Sequence, residues 1–212
     1  MEGLQAALFE LPLVAAASVT TAAALGKSNA PGTRYIAACS LPTAVAALLG
    51  AARFALRVSD ASLLSVVHVI VVRILQLFGQ WGVLFGGVSL ICRQAVPAPF
   101  AFLAVLVSLV SARTTPKLVA APVFVGTALC ALPAYWAGDA QRQQIGRALL
   151  LCVIAYGLGA AVRGQPLSPP EPIGVGPLTN VDAFHVALAA AQACLGRAID
   201  EARAPRARAK RA

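Results

Sequence analysis

Charged residues are scarce in this chain of 212 residues, and only 2 histidines are present. Asp, Glu, Lys and Arg make up 12% of the sequence, whereas a soluble domain averages about 25%. So few charges cannot cover a water-exposed surface, and hydrophobic residues make up 59% of the chain. The composition therefore excludes an ordinary soluble globular protein and predicts a protein whose solvent is mostly lipid.

Acidic residues are especially few, with 8 Asp and Glu against 17 Lys and Arg, which gives a formal net charge of +9. In a soluble protein this excess would suggest a nucleic-acid partner. Here five of the 17 basic residues lie in the segment 200–212, which follows the last apolar run. That arrangement is typical of a cytoplasmic flank of a membrane protein. We therefore expect the lipid bilayer and other membrane proteins as partners, and no nucleic acid.

Several common motifs are missing. The five cysteines are odd in number and none has CxxC spacing, which excludes a disulfide framework or a small zinc module. The sequence contains no phosphate-binding loop, GxSxG, HExxH or haem-attachment CxxCH motif. No familiar soluble enzyme class is therefore indicated.

Seven apolar segments follow one another, separated by polar or proline-rich and glycine-rich turns. They predict an all-α polytopic membrane protein with seven transmembrane helices. The loops on the side of the C-terminus carry more Lys and Arg, which predicts a lumenal N-terminus and a cytosolic basic tail over 200–212. Short, alanine-rich segments favour a thin internal membrane, above all the endoplasmic reticulum. The predicted spans are 6–26, 35–56, 61–91, 98–112, 118–136, 145–162 and 181–199.

The third span combines unusual length with a polar stripe. As a helix, 61–91 would be about 46 Å long, so it must tilt, protrude or bend near 79–82. Small and polar residues, including Ser65, His68 and Gln76, fall on one side of it, and large apolar residues take most of the other. In lipid, the side with small and polar residues is expected to pack against other helices.

The predicted topology brings several ionisable residues to one depth, near the non-cytoplasmic face. Because such groups are costly in a membrane, they are usually paired or functional. They are Glu10, Arg53, His68, Asp182 and His185.

Two interpretations of these residues remain open. One is a buried polar pocket with Glu10, Arg53, Ser65 and Gln76 in its lining and with His68, His185 and Asp182 as candidate metal ligands. The other is that Glu10 and Arg53 form an ion pair and that each histidine is a hydrogen-bonded residue between helices.

Two short stretches resemble the alkaline ceramidases, which are seven-span members of a ceramidase-like group of membrane hydrolases. The first is Ser65 to His68 followed by Gln76-Leu77, and the second is Phe184-His185 at the start of the last span. The resemblance implies a zinc ion held by histidines and hydrolysis of a lipid amide.

The chain also departs from that family at important positions. Gly79 stands where the family has an aspartate, and Ala189 stands where its last helix has a second histidine. Catalytic zinc normally takes three protein ligands, so a carboxylate of Asp182 or Glu10 would have to join the two histidines.

Two functions from different classes are therefore expected. The first is a multi-pass membrane protein without catalytic activity that acts through lipid or protein partners. The alternative is an atypical metal-dependent lipid amide hydrolase, for which zinc would be the cofactor. The departures from the ceramidase pattern favour the first.

Overall fold

The computed structural model describes residues 2–26, 30–111, 117–163 and 178–204, and these ranges fold into seven α helices without a β strand. The predicted all-α class is confirmed. The basic tail and the long connection before the last helix fall mostly outside the described residues. The helices are α1 (Glu2–Leu25), α2 (Thr33–Leu56), α3 (Leu63–Cys92), α4 (Ala98–Ser111), α5 (Lys117–Tyr135), α6 (Ala140–Arg163) and α7 (Asn180–Arg203).

Four of these helices are long and apolar enough to cross a membrane: α1, α2, α3 and α6. The apolar stretches of α4 and α5 are shorter, at Ala98–Val110 and Pro122–Tyr135. α7 has the length but is less apolar and is not among the four; its Leu195, Ala198 and Ile199 are fully buried against the other helices. Several apolar helices indicate a membrane protein, while seven crossings remain a prediction.

α3 is a single helix of 30 residues that contains a π-helical turn. The turn covers Leu75–Gly79, next to the glycine-containing segment where the sequence predicts a bend. The Ser108 hydroxyl of α4 donates a 2.6 Å hydrogen bond to the carbonyl of Leu77, and the Trp81 indole donates to Ser108 at 2.8 Å. Polar contacts from a neighbouring helix thus support this turn, where regular helical hydrogen bonding changes.

α1 and α7 run in the same direction through the bundle. Near their starts, Gln5 Nε2 donates to Asp182 Oδ2 at 3.3 Å, and near their ends Arg203 donates to the carbonyl of Ala23. Between these contacts the Thr20 hydroxyl donates to the carbonyl of Gln192 at 2.8 Å. The first and last helices therefore begin at one end of the bundle and finish at the other.

The two ends of the bundle differ in their polar residues. The histidine end comprises the starts of α1, α3 and α7 and the finishes of α2 and α6, and it contains both histidines. At the opposite, arginine end, Arg93 donates to Gln141 at 2.6 Å, and Gln141 donates to the carbonyl of Glu201 at 2.7 Å. These hydrogen bonds tie together the finish of α3, the start of α6 and the finish of α7.

Candidate functional site

The central contact of the histidine end joins α1 to α7. Oε1 of Glu10 lies 3.3 Å from Nε2 of His185. Both residues are buried, with exposed fractions of 2% for Glu10 and 9% for His185. A carboxylic acid surrounded by apolar helices is costly unless a partner shares its proton or charge, and the imidazole provides that partner.

His68 joins this pair because α2 carries a glycine at the point of contact. A Cβ atom on Gly50 would lie 2.5 Å from Oε1 of Glu10 and 3.4 Å from Nε2 of His68. The missing side chain therefore leaves room for the carboxylate, and both histidines present Nε2 to the space around it. We call Glu10, Gly50, His68 and His185 the Glu10 site.

Arg163, the last residue of α6, contributes to the electrostatic surroundings of the Glu10 site. Its guanidinium carbon lies 5.1 Å from the centre of the Phe184 ring on α7. It is also close enough to interact electrostatically with Glu10. Both Arg163 and Arg53 also act electrostatically on His68, so two cations lie near the ionisable groups of the site.

The outer nitrogens of both imidazoles lack partners. Nδ1 of His68 and Nδ1 of His185 are buried and have no hydrogen-bond partner among the described residues. Buried polar atoms are normally satisfied by protein or water, so each exception needs an explanation. Each of these two ring nitrogens is thus an unsatisfied polar atom at the edge of the Glu10 site.

Asp182, the third candidate metal ligand, has a structural role at the start of α7. Its Oδ2 atom accepts hydrogen bonds from the backbone N–H of Thr179 at 2.9 Å and from the Thr179 hydroxyl at 2.8 Å. Thr179 in turn accepts from the backbone N–H of Asp182, which makes a capping box. Within the described residues, no group of three His, Cys, Asp or Glu side chains is arranged to hold a metal ion.

Of the remaining candidate residues, Arg53 and Ser65 have other ion-pair or hydrogen-bond partners, although Arg53 also acts electrostatically on His68. Arg53 forms its ion pair with Asp60 of the following loop, so among the described residues Glu10 is paired with His185 and not with Arg53. The Ser65 hydroxyl donates to the carbonyl of Ser59 at 2.9 Å and so closes that loop. Gln76 is buried in the π-helical turn, eight residues from His68 and hence about 12 Å farther along α3. The structure therefore does not bring Ser65 and Gln76 into the Glu10 site.

A second polar group deeper in the bundle was not predicted from the sequence. The fully buried Gln192 of α7 donates from Nε2 to the Tyr156 hydroxyl at 3.0 Å and to Thr43 Oγ1 at 3.5 Å. Its Oε1 atom has no partner among the described residues. The signal in the sequence was the polar side chain of Gln192 seven residues after His185, which places both on the same face of α7.

Searches against protein-family models, curated proteins and solved structures find no match to this chain. The fold and the buried site therefore define the class by themselves: a helical membrane protein with ionisable side chains inside its bundle. Nothing in these comparisons bears on the ceramidase resemblance.

Proposed function

We propose that this protein is a non-catalytic, multi-pass membrane protein that binds a lipid at the Glu10 site and acts through that lipid or through membrane-protein partners. The observation that carries the proposal is the pair of unpaired Nδ1 atoms, on His68 and His185, beside the buried Glu10 carboxyl group. Intramembrane ionisable residues are expensive and usually functional. The partial exposure of His68 gives the site a side that faces the lipid.

The lipid-binding proposal is tested by native mass spectrometry of the protein in nanodiscs made from a total membrane lipid extract. We expect the wild-type protein to retain a lipid species that the His185→Phe variant loses. The Val186→Phe variant is the matched control, because Val186 is the next residue on α7 and is exposed on the apolar surface. Identical lipid complements for all three proteins would contradict the proposal.

The second candidate is an atypical metal-dependent lipid amide hydrolase. The two imidazoles and one carboxyl group near Gly50 are zinc ligand types and favour it, but zinc binding would require them to move, because no three such side chains among the described residues are arranged around one ion. It would require Glu10 to serve as the third ligand, since the carboxylate of Asp182 already accepts hydrogen bonds from Thr179 and Gln5. Zinc in a 1:1 ratio to purified protein, lost in His185→Phe together with lipid amide hydrolysis, would establish this function in place of the first.

The proposed topology has seven crossings, a lumenal N-terminus and a cytosolic C-terminus. It is supported by the parallel course of α1 and α7, which an odd number of crossings produces. The described arginines at the arginine end, among them Arg34, Arg142 and Arg147, favour the cytosolic side for that end.

We propose the endoplasmic reticulum as the location. The short α4 and α5 suit its bilayer, which is about 27 Å thick against about 32 Å at the plasma membrane. Fractionation is expected to recover the protein with markers of the endoplasmic reticulum, and recovery mainly at the cell surface would contradict this location.

A further inference from the structure

Arg73 is a charged residue inside α3, one of the helices long and apolar enough to cross a membrane, and its side chain is exposed. At 1.5 Å per residue it lies about 15 Å from the start of the helix at Leu63 and about 28 Å from its end at Cys92. This arginine is therefore not at either end of α3, where a basic side chain normally meets the lipid headgroups.

The surface around Arg73 is apolar in both directions along the membrane normal. Val66 and Ile70 are exposed between Arg73 and the histidine end, and Ile74 is exposed directly after it. Toward the arginine end, the neighbouring α4 exposes large apolar side chains along most of its length. Side chains suited to lipid contact thus extend beyond Arg73 on both sides, which places its guanidinium in the hydrocarbon region.

The described part of the chain provides no counter-charge for this guanidinium. Among the described residues, Arg73 has neither an ion pair nor a side-chain hydrogen bond. Glu10, Asp60 and Asp182 are occupied by the contacts given above, and Asp139, Asp200 and Glu201 lie at the arginine end. Because an unpaired charge is costly in hydrocarbon, such residues normally pair with an opposite charge or mark a functional site. The partner of Arg73 must therefore come from outside the described residues.

Two kinds of anion can neutralise an arginine in a membrane: a lipid phosphate at the surface, and a carboxylate on another transmembrane helix. An arginine near a helix end reaches the phosphates by extending its side chain along the helix. From Arg73 that path runs about 15 Å toward Leu63 and passes the exposed Val66 and Ile70. This is farther than one side chain extends, so the depth of Arg73 favours a carboxylate at the same depth.

A second copy of this chain does not supply that carboxylate. Glu10 and Asp182 are each only 2% exposed, so neither is available on the outer surface of the bundle. A symmetric contact between two copies of α3 would instead bring two Arg73 side chains together, and like charges repel strongly where the dielectric constant is low. The carboxylate must therefore belong to a different membrane protein.

We infer that the exposed surface of α3 formed by Ile70, Arg73 and Ile74 binds a transmembrane helix of another membrane protein, which carries a glutamate or aspartate at the depth of Arg73. Apolar contacts alone favour no partner over lipid, so polar contacts and close packing decide which helices associate. The inference names the partner class in the proposed function, and it does not depend on lipid binding at the Glu10 site.

A designed transmembrane peptide tests the inference with a partner of known chemistry. The peptide is a host helix of about 20 leucine and alanine residues with either glutamate or glutamine at its centre. Energy transfer between labelled peptide and labelled full-length protein measures binding in dioleoylphosphatidylcholine vesicles in mildly alkaline buffer. We expect the glutamate peptide to bind about tenfold more tightly, because only its carboxylate neutralises Arg73.

Three variants assign that preference to Arg73. Arg73→Gln should bind the two peptides equally, whereas Arg147→Gln, which removes an exposed arginine from α6, should keep the preference. Arg73→Glu should bind a peptide with a central arginine in place of the glutamate peptide, because the two charges are exchanged. This exchange requires a folded protein, so it separates loss of the ion pair from unfolding.

The outcomes also distinguish a protein partner from a lipid. Equal affinity of the wild-type protein for both peptides, or a preference that survives in Arg73→Gln, would overturn the inference. The preference should persist in vesicles that contain dioleoylphosphatidic acid, and its loss there would assign Arg73 to a lipid phosphate instead.

The same assay separates this inference from the Glu10 site. His185→Phe should keep the preference for the glutamate peptide, and its loss in that variant would place the peptide at the Glu10 site and overturn the inference. Failure of lipid retention in nanodiscs would overturn lipid binding at the Glu10 site and leave the surface around Arg73 unaffected.

Discussion

Gln192, at the centre of α7, forms hydrogen bonds that link α7 to three other helices. Its amide group reaches Tyr156 of α6 and Thr43 of α2, and its backbone carbonyl accepts from Thr20 of α1. With an exposed fraction of 0%, this residue has no water to replace a lost protein partner. Interhelical hydrogen bonds in membranes contribute about 0.6 kcal/mol on average and up to about 1.7 kcal/mol.

We expect Gln192→Leu to lower the free energy of unfolding by about 1–3 kcal/mol. Leucine has a similar volume but leaves the Tyr156 hydroxyl with only the weak contact to Cys39 Sγ at 3.8 Å, and poorly paired buried groups cost about this much. Denaturant unfolding in micelles measures the change. The same substitution at the exposed Gln144 of α6 is the control and should change stability by less than about 0.5 kcal/mol. Equal stability of Gln192→Leu and wild type would contradict the role given to this network.

The partner of Glu10 shows what residue patterns could and could not predict. Depth along each helix follows from the loop positions, so the sequence correctly placed Glu10, His68 and His185 at one end of the bundle. The depth of a residue along its helix does not determine which helices pack against each other. The packing of α1 against α7 decides that Glu10 contacts His185, while Arg53 turns to Asp60 in the next loop.

At the scale of helices, close packing depends on particular glycines of α6. A Cβ atom on Gly146 would lie 2.6 Å from the backbone nitrogen of Tyr135 and 2.8 Å from the carbonyl oxygen of Ala131. Both atoms belong to α5, and backbone atoms cannot move aside as a flexible side chain can. A Cβ atom on Gly157, farther along the same helix, would meet no atom within 4 Å.

This difference predicts that Gly→Ala has opposite effects on stability at these two positions of α6. Gly146→Ala should destabilise the protein by about 1–3 kcal/mol, because α5 and α6 must separate to admit the methyl group. Gly157→Ala should be neutral or stabilising by up to about 1 kcal/mol, since alanine favours the helix. Thermal unfolding in the same detergent compares the two variants with wild type. A Gly157→Ala variant that is the less stable of the two would contradict the described packing.

The sequence predicted where α3 begins and ends better than it predicted the internal geometry of that helix. Its predicted range, 61–91, compares with Leu63–Cys92 in the structure, because apolar runs and loop signals determine where a helix starts and ends. The π-helical turn at Leu75–Gly79 accepts a hydrogen bond from the Ser108 hydroxyl of α4. The sequence of α3 alone cannot predict this contact with α4.

At the scale of the whole molecule, the charge distribution and the parallel course of α1 and α7 lead to one prediction. Tags at the two termini should lie on opposite sides of the membrane, with the C-terminal tag in the cytosol. Antibody labelling after selective permeabilisation of the plasma membrane should detect the C-terminal tag alone. Labelling of the N-terminal tag should require that the internal membrane is opened as well, and labelling of both tags at the first step would rule out an odd number of crossings.

The contact between Glu10 and His185 joins the first helix to the last and is the centre of the proposed site. A double-mutant cycle with Glu10→Ala and His185→Ala measures it as the departure of the double variant's unfolding free energy from the sum of the single effects. Direct contact predicts a coupling of about 0.5–2 kcal/mol. A cycle of Glu10→Ala with the exposed Val186→Ala should be additive within about 0.3–0.5 kcal/mol. Additivity in the Glu10–His185 cycle as well would contradict the pairing, and with it the site on which the proposed function rests.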